Sequence, residues 1–401
     1  MLEFDEAQSQ LTAAAPVPAR TETVSLAQAA GRVLAAGLTA TVDLPSADNS
    51  AMDGYAIHHS DYQPGARLPI QQRCYAGEQP APLIAGQATR LFTGSLMPQG
   101  ADTVIMQEDT READGTVEIT AAPSTGQHVR KLGEDVRAGT PLLSAGALLQ
   151  AAHIALLASQ GLAQVEVYPR LRVGILTTGD ELAVPGQPRQ PGQVYNSNGP
   201  MLAALAQGLG ADVVRVLHAR DDMADLQAAL RTLQSSCDLV VSVGGVSVGD
   251  HDLVKPAIES LGGELALWKV RMKPGKPVAM ARLDSKLIVC LPGNPVSAYA
   301  VFTVLVSPMI RRMQGRAQVY PPVLRAALRT EKTRQDSREE FLRVQYHPLA
   351  NGSADLTPYG HQGSGVISSL PWADGLARLP AGVPVNDGDI VAYYDLKRWQ
   401  T

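Results

Sequence analysis

Three acidic residues, Glu181, Asp221 and Asp252, each stand just beyond an apolar run that reads as a strand. They belong to the stretches Thr177-Thr178-Gly179-Asp180-Glu181, Asp221-Asp222 and Gly244-Gly245-Val246-Ser247-Val248-Gly249-Asp250-His251-Asp252. Carboxylates gathered in one cleft repel one another unless a divalent cation neutralises them, and all-oxygen donors suit Mg²⁺. Capping of the following helices is the plainer account of Asp221 or Asp222, and of Asp250 or Asp252. It fits Glu181 less well, because the segment after it, LAVPGQPRQPG, has no helical pattern. GGVSVGD has the parts of an anion cradle. Its glycines let backbone N–H groups approach a phosphate, and the next helix offers its N-terminus. A plain strand-to-helix turn would carry the same residues. No Lys-Ser/Thr follows, so it is not a Walker A loop, and it is not the GxGxxG of a nicotinamide site.

Lys269, Lys273 and Lys276 fall in the compact stretch KVRMKPGKP. Proline and glycine stiffen that turn, and fixed ammonium groups beside a phosphate cradle suit a phosphate or another oxyanion. A solvated basic hairpin is the alternative. Pro292-Gly293-Asn294-Pro295 makes a fourth polar loop. The stretch from Asp48 to Ala56 is dense in polar turn-formers, and a tight turn at Asp53-Gly54 would explain it. Thr93-Gly94 carries the same ambiguity. The eight histidines form no HxH or HxxxH pattern, which gives a zinc-hydrolase site little support.

These loops need elements to aim them. From 171 to 315, strands and helices alternate: LRVGILTT, PMLAALAQGLG, ADVVRVLHA, MADLQAALRTLQ, CDLVVSVGG and LVKPAIESLG. Two further apolar runs, KPVAMARL and KLIVCL, precede a long helix, VSAYAVFTVLVSPMIRRM. The pattern predicts a doubly wound, mainly parallel sheet. Right-handed crossovers then place the four polar loops on one edge, beyond the carboxyl ends of the strands, where such sheets bind ligands. Residues 1–40 read as helical, with Leu26, Ala30, Val33 and Leu34 on one face of SLAQAAGRVLAAGL. Helix returns at 147–160 and stops at Gly161. Short apolar runs between Pro/Gly turns fill 45–140, and β texture resumes at 318–401 around the dipeptides NG (351–352) and DG (374–375, 387–388). The expected organisation is a multidomain α/β chain. Residues 1–44 with 141–170 form a helical linking domain, 45–140 an inserted β module, 171–317 the α/β domain, and 318–401 a C-terminal β-barrel-like domain.

Composition narrows the function. The 401 residues are 45% apolar and 18% charged, which excludes wholesale disorder. A net charge of −5 argues against a nucleic-acid partner, and 4% aromatic residues leave no stacking platform for successive bases. Cys74, Cys237 and Cys290 lie far apart without a CxxC, which suits a reducing compartment. The N-terminus has no apolar signal core. The apolar stretch from Val296 to Ile310 is broken by Ser297, Ser307 and Pro308, and is shorter than the about 20 residues that span a bilayer. A soluble, cytoplasmic protein without a membrane partner is expected.

DNSAMDGYA, FTGSLMPQGADTVIMQED, VRKLGED, TTGDEL, VYNSN, DD (221–222), VSVGGVSVGDHD, KPGKP and LPGNPVSA follow one another in this order. The ordered set resembles the MoeA family of molybdopterin molybdenumtransferases, relatives of the gephyrin E domain, over nearly the whole chain. The resemblance implies that adenylylated molybdopterin is cleaved with Mg²⁺ as cofactor, AMP leaves, and molybdate is inserted to give molybdenum cofactor. It implies Asp53, Glu181, Asp221 and Asp252 as the working carboxylates, the last three at the metal, and prefers Asp252 to Asp250. Thr93 and Asp135 would support the site. Gly244, Gly245 and Ser247 would cradle phosphate, and Lys269, Lys273 and Lys276 would hold phosphate or oxyanion. Pro292, Asn294 and Pro295 would shape the pterin pocket, and Ser297, Arg343 and Ser364 would help receive molybdate. It further implies a homodimer whose cleft lies between the α/β domain of one subunit and the β module of the other. Molybdopterin adenylyltransferase and downstream molybdoenzyme maturation factors would be its other partners. Two functions compete on the same fold: the adenylyltransferase itself, and a non-catalytic scaffold. The β module and C-terminal domain favour insertion over the first, and the intact acidic and basic set favours catalysis over the second.

Overall fold

Strands Asp212–Ala219, Arg172–Thr178, Leu239–Val243 and Lys286–Leu291 lie side by side and parallel, in that order across one sheet. This computed structural model describes residues 1–245 and 252–401. Strand Pro277–Leu283 runs antiparallel to both its neighbours, Lys286–Leu291 and the edge strand Glu264–Lys269. Side chains alternate across the sheet. Val173, Ile175, Val241 and Val289 enter one core with helices Phe4–Ala14 and Asn198–Gly208. Leu176, Val240 and Ile288 enter the other with helices Met223–Ser236 and Val254–Ser260. Both faces of the inner strands Arg172–Thr178, Leu239–Val243 and Lys286–Leu291 are covered, which is why they read as continuous apolar runs, while the edge strand Asp212–Ala219 is largely exposed. The long C-terminal helix of this layer starts as Pro295–Val301, widens to a π-helical Phe302–Val306, and resumes as Ser307–Met313 around Pro308, which has no N–H to give.

Strand Arg172–Thr178 comes first in the layer yet pairs on one side with the second strand and on the other with the third. The chain therefore leaves it in opposite directions. A crevice must open at its carboxyl end, beside Thr178 and Val243.

After this layer five strands close on themselves. Glu339–Pro348 pairs with Ala354–Pro358, then come Leu324–Leu328, Ile390–Asp395 and Gly375–Leu379, which returns to Glu339–Pro348. Leu328, Leu342, Val344, Leu356 and Tyr393 fill this barrel. The glycines of the 351–352 and 387–388 dipeptides take positive φ in turns, as expected. The dipeptide at 374–375 does something else: Gly375 opens a strand, and the Tyr393 ring occupies the space a Cβ would need.

The N-terminal reading needs correction. Helix covers Phe4–Ala14, before Pro16 and Pro18, whereas SLAQAAGRVLAAGL makes one 3-10 turn, Leu26–Gln28, and then turns, bends and isolated bridges. Val33 and Leu34 are buried through bridges to Leu148 and Val167, and Gly31 sits at φ +74°. The Ala/Leu spacing was compatible with a helix, but tertiary β bridges bury only Val33 and Leu34 and leave Ala30 exposed. Residues 1–35, 146–150 and 165–401 form one compact unit.

Residues 36–145 and 151–164 form a second unit. Its sheet runs Thr103–Met106, Gly54–Ile57, Ala88–Leu91, Arg67–Cys74, Thr116–Ile119, Thr110–Ala113. Tyr55, Ile57 and Ile105 pack on one face, Ala56, Leu91 and Val104 on the other. A Cβ at Gly54 would collide with the Ile105 carbonyl. Only glycine fits directly after Asp53, and that requirement accounts for the Asp-Gly pair better than a tight turn does.

Gly174, in the middle of the parallel sheet, leaves room for helix Met223–Ser236. A Cβ there would lie 2.8 Å from both Cys237 Sγ and Leu233 Cδ2. Gly174→Ala is expected to cost about 1–3 kcal/mol through overpacking, read as a lower urea midpoint. An unchanged midpoint would show that helix and strand part without penalty.

Candidate active site

The crevice at the end of Arg172–Thr178 is a cavity of ≈ 900 Å³. Glu181, Asp221 and Asp252 all line it, with Gly244, Gly245, Pro292, Asn294 and Pro295. Four loops distant in sequence thus meet there, as the parallel reading of the sheet required.

Each loop is shaped by local chemistry. Beyond Thr178 the chain turns at Gly179, φ +139°, and the Glu181 carboxylate folds back over the space a side chain at 179 would occupy. Asp221 Oδ1 accepts a hydrogen bond from Thr178 Oγ1 at 2.7 Å, and its N–H donates to Asp180 Oδ1 at 3.3 Å. Asp222 takes the capping role: its Oδ1 accepts from the N–H groups of Ala224 and Asp225, both at 3.0 Å. The pair therefore divides its work, with one aspartate capping the start of the helix and the other facing the cavity. Gly244 is at φ +99°, and a Cβ there would stand 2.7 Å from the Thr178 carbonyl oxygen. Gly245, at φ +61°, would bring a Cβ to 2.5 Å from Val254 Cγ2. Gly244 is required by a backbone contact with Thr178, and Gly245 by its positive φ and the Val254 side chain of the next helix. Asn198 Nδ2 donates to the Gly293 carbonyl at 2.6 Å and ties the proline-flanked loop to helix Asn198–Gly208. Ser247 and Asp250 lie outside the described residues.

The barrel supplies a wall that loop chemistry in the α/β layer did not announce. Gly365 and Ile367 line the cavity. Their loop is gripped by Arg343, which is 1% exposed. Its Nε donates to Ser369 Oγ at 3.0 Å, Nη1 to the Gln362 carbonyl at 3.0 Å, and Nη2 to the carbonyls of His361 and Gly363 at 3.1 Å. Burial lowers the Arg343 pKa to about 10. Ser364 meets the α/β layer through its carbonyl, which accepts from Val296 N–H at 3.1 Å, and Ser297 is buried in the helix beside it. Tyr195, Ser197 and Asn198 also line the cavity. They come from the VYNSN motif, so the ordered motif set held that signal although no single residue in it advertised a role.

The three lysines stand apart from this lining. Lys273 Nζ pairs with Asp336 and Glu340, each at 3.0 Å. Burial works against the charge on Asp336, but hydrogen bonds from Lys273 and Arg338 bring its pKa to about 2. Lys269 and Lys276 are exposed, and Pro277, next to Lys276, is part of the cavity wall.

In the other unit Asp53 and Thr93 come together. Asp53 Oδ1 accepts from Thr93 N–H at 2.8 Å and Thr93 Oγ1 at 2.9 Å. Those bonds hold the Asp53 carboxyl below the usual carboxylate range, with Arg90 assisting and slight burial opposing. Asp135 is exposed in the same unit.

Among the described residues, no three His, Cys, Asp or Glu side chains stand close enough to cage a metal ion. Mg²⁺ rarely uses such cages. It keeps waters and takes one or two carboxylates together with substrate phosphate. An acidic cavity with a glycine cradle offers that donor set.

Comparison with known proteins agrees with this geometry. The family model for the MoeA N-terminal region (domain I and II) matches residues 2–161, that for a probable molybdopterin binding domain matches 174–312, and that for the MoeA C-terminal region (domain IV) matches 325–396. A molybdopterin molybdenumtransferase of Haemophilus influenzae is 38% identical over 377 residues, 92% of each chain. One from a Nostoc species is 39% identical, covering 90% of this chain and 85% of the relative. A crystal structure of the molybdopterin biosynthesis MoeA protein from Pyrococcus horikoshii superposes with a TM-score of 0.81 at 29% identity, over 98% of this chain and 99% of that one. The chain belongs to the MoeA family, as its ordered motifs suggested.

Thr93→Val removes one of the two bonds to Asp53. Its carboxyl is expected to titrate at higher pH than in the wild type, toward the ordinary value of 3.8, in a carboxyl-carbon NMR titration. The sign for stability follows. With the folded pKa depressed, the Asp53 contribution is present above the ordinary value and is lost as pH falls through the lowered one. The variant therefore loses stability relative to wild type at neutral pH and not in strong acid. An unmoved titration would mean that the hydroxyl does not tune Asp53.

Proposed function

We propose that this protein is a molybdopterin molybdenumtransferase, which cleaves adenylylated molybdopterin, releases AMP and inserts molybdate to form molybdenum cofactor. The observation that carries the reading is the convergence of Glu181, Asp221 and Asp252 with the Gly244-Gly245 backbone on one cavity, in a chain of this family. Cleavage next to phosphorus spreads negative charge over oxygens, and preorganised groups act on it electrostatically. The glycine backbone approaches the phosphate. The carboxylates orient the attacking and leaving oxygens, Thr178 fixes the rotamer of Asp221, and no covalent enzyme intermediate is needed. One or two of Glu181, Asp221 and Asp252, together with substrate phosphate, would hold Mg²⁺, which would supply charge neutralisation. Lys269 and Lys276 are free to draw oxyanions toward the mouth, while Lys273 is engaged with the barrel. Gly365, Ile367 and Pro292–Pro295 shape the pocket for the pterin, with Arg343 fixing the barrel loop.

The chain works as a homodimer in this reading, with Asp53 and Thr93 of the β module serving the cavity of the other copy. The cytoplasm is the proposed location, which suits three unpaired cysteines. No helix among the described residues is long and apolar enough to cross a membrane.

Reconstitution of an apo-molybdoenzyme from adenylylated molybdopterin, molybdate and Mg²⁺ tests the activity. Asp252→Ala and Glu181→Ala are expected to lose about 100-fold or more while folding normally. Activity retained in both would reject the site, and net adenylylation of molybdopterin from ATP would favour the rival transferase. Mixing tests the dimer. Asp53→Ala and Asp252→Ala chains, each inactive alone, should recover roughly a quarter of wild-type activity when exchanged at random, because one cleft of each mixed pair is intact. No recovery after proven exchange would place Asp53 outside the shared cleft.

A further inference from the structure

We infer that Tyr195 is the side chain that stacks on a planar nitrogen heterocycle of the substrate, an assignment that rests on the cavity being the site for adenylylated molybdopterin. Among the described residues Tyr195 is the one aromatic side chain lining the cavity. The chain has few rings, and most pack on each other or in cores, as in Phe4 on Phe341, Tyr346 on Tyr393 and Tyr359 on Trp372. Tyr195 instead is 49% exposed at the cavity wall.

Its placement is built rather than incidental. Leu182 and Ala183 pair in parallel with Val194 and Tyr195. Val194 N–H donates to the Glu181 carbonyl at 2.8 Å, and Asn196 N–H to the Ala183 carbonyl at 2.9 Å. The ring is thereby fastened by backbone to the loop that carries the Glu181 carboxylate. The Tyr195 hydroxyl donates to the Gln187 carbonyl at 3.2 Å, which limits rotation of the ring. Val194 and Ile367, 52% and 44% exposed, line the same cavity and add apolar surface to a wall otherwise rich in carboxylates and glycine.

The ligand class follows from that surface. The phosphate of the substrate has the Gly244-Gly245 backbone to meet. A flat ring joined to phosphate needs an aromatic face, and Tyr195 offers it. The low aromatic content excludes a platform for a nucleic-acid strand, yet it leaves room for one ring at one subsite. Adenine and pterin are both flat nitrogen heterocycles, and binding experiments tell them apart.

Calorimetric titration of the full-length protein with AMP, with free pterin and with ribose 5-phosphate, in wild type, Tyr195→Ala and Tyr195→Phe, is the test. Tyr195→Ala should weaken one of the two heterocycles about tenfold or more, Tyr195→Phe should bind like wild type, and ribose 5-phosphate should be indifferent to both changes. Loss confined to AMP identifies the adenine as the stacked ring, and loss confined to pterin identifies the pterin. Equal binding of both heterocycles by Tyr195→Ala and wild type would overturn the assignment. So would equal weakening of ribose 5-phosphate, or a Tyr195→Phe defect matching the alanine variant, because either would make the hydroxyl tether the active feature. If wild type binds neither heterocycle, the reading of the cavity fails and this assignment falls with it.

Discussion

The whole site hangs on one close approach. At the carboxyl ends of two neighbouring parallel strands the backbone at Gly244 passes so near the Thr178 carbonyl that a methyl group would not fit. That contact exists because Arg172–Thr178 pairs with the second strand on one side and the third on the other. Opposite crossovers open a crevice there, and the glycines let its floor be made of backbone. The loops of Glu181 and of Gly244-Gly245 begin at this floor, and Asp221 reaches it through the Thr178 hydroxyl.

Charge is distributed with the same economy. Acidic side chains line the cavity, whereas Lys273 and Arg343, two cations expected at the substrate, are occupied elsewhere in the structure. Arg343 grips carbonyl groups of the 361–363 segment, and Lys273 joins a short strand, Met272–Lys273, to the acidic start of Glu339–Pro348. Lys273 ties the barrel to the α/β layer, and Arg343 holds the barrel's own loop, where Gly365 and Ile367 form a wall of the cavity. The cavity wall itself carries carboxylates and glycine backbone.

Much of this was legible in the residues. Strand-helix alternation named the sheet, and a sheet of that kind places four loops on one edge. Strand Glu339–Pro348 coincides with the run EEFLRVQYHP. What could not be read was set by partners distant in sequence. Asp221 and Asp222 both looked like caps, and only Thr178 separates their roles. Lys273 looked free until Asp336 and Glu340 met it. The segment from Ser25 to Leu38 has a helix's spacing, but Val33 and Leu34 bury themselves through β bridges instead. Gly375 mimics a turn glycine, although a tyrosine ring from another strand dictates it. Local pattern reveals elements, and long-range packing decides which polar group is left over for chemistry.

The central claim is that three carboxylates and a glycine floor surround the scissile phosphate. A crystal structure of the protein with adenylylated molybdopterin, molybdate and Mg²⁺ addresses it most directly. The account predicts the phosphate against the Gly244-Gly245 backbone, with Glu181, Asp221 and Asp252 turned toward it. A ligand bound with its phosphate at another edge of the sheet, leaving those three side chains in solvent, would contradict it.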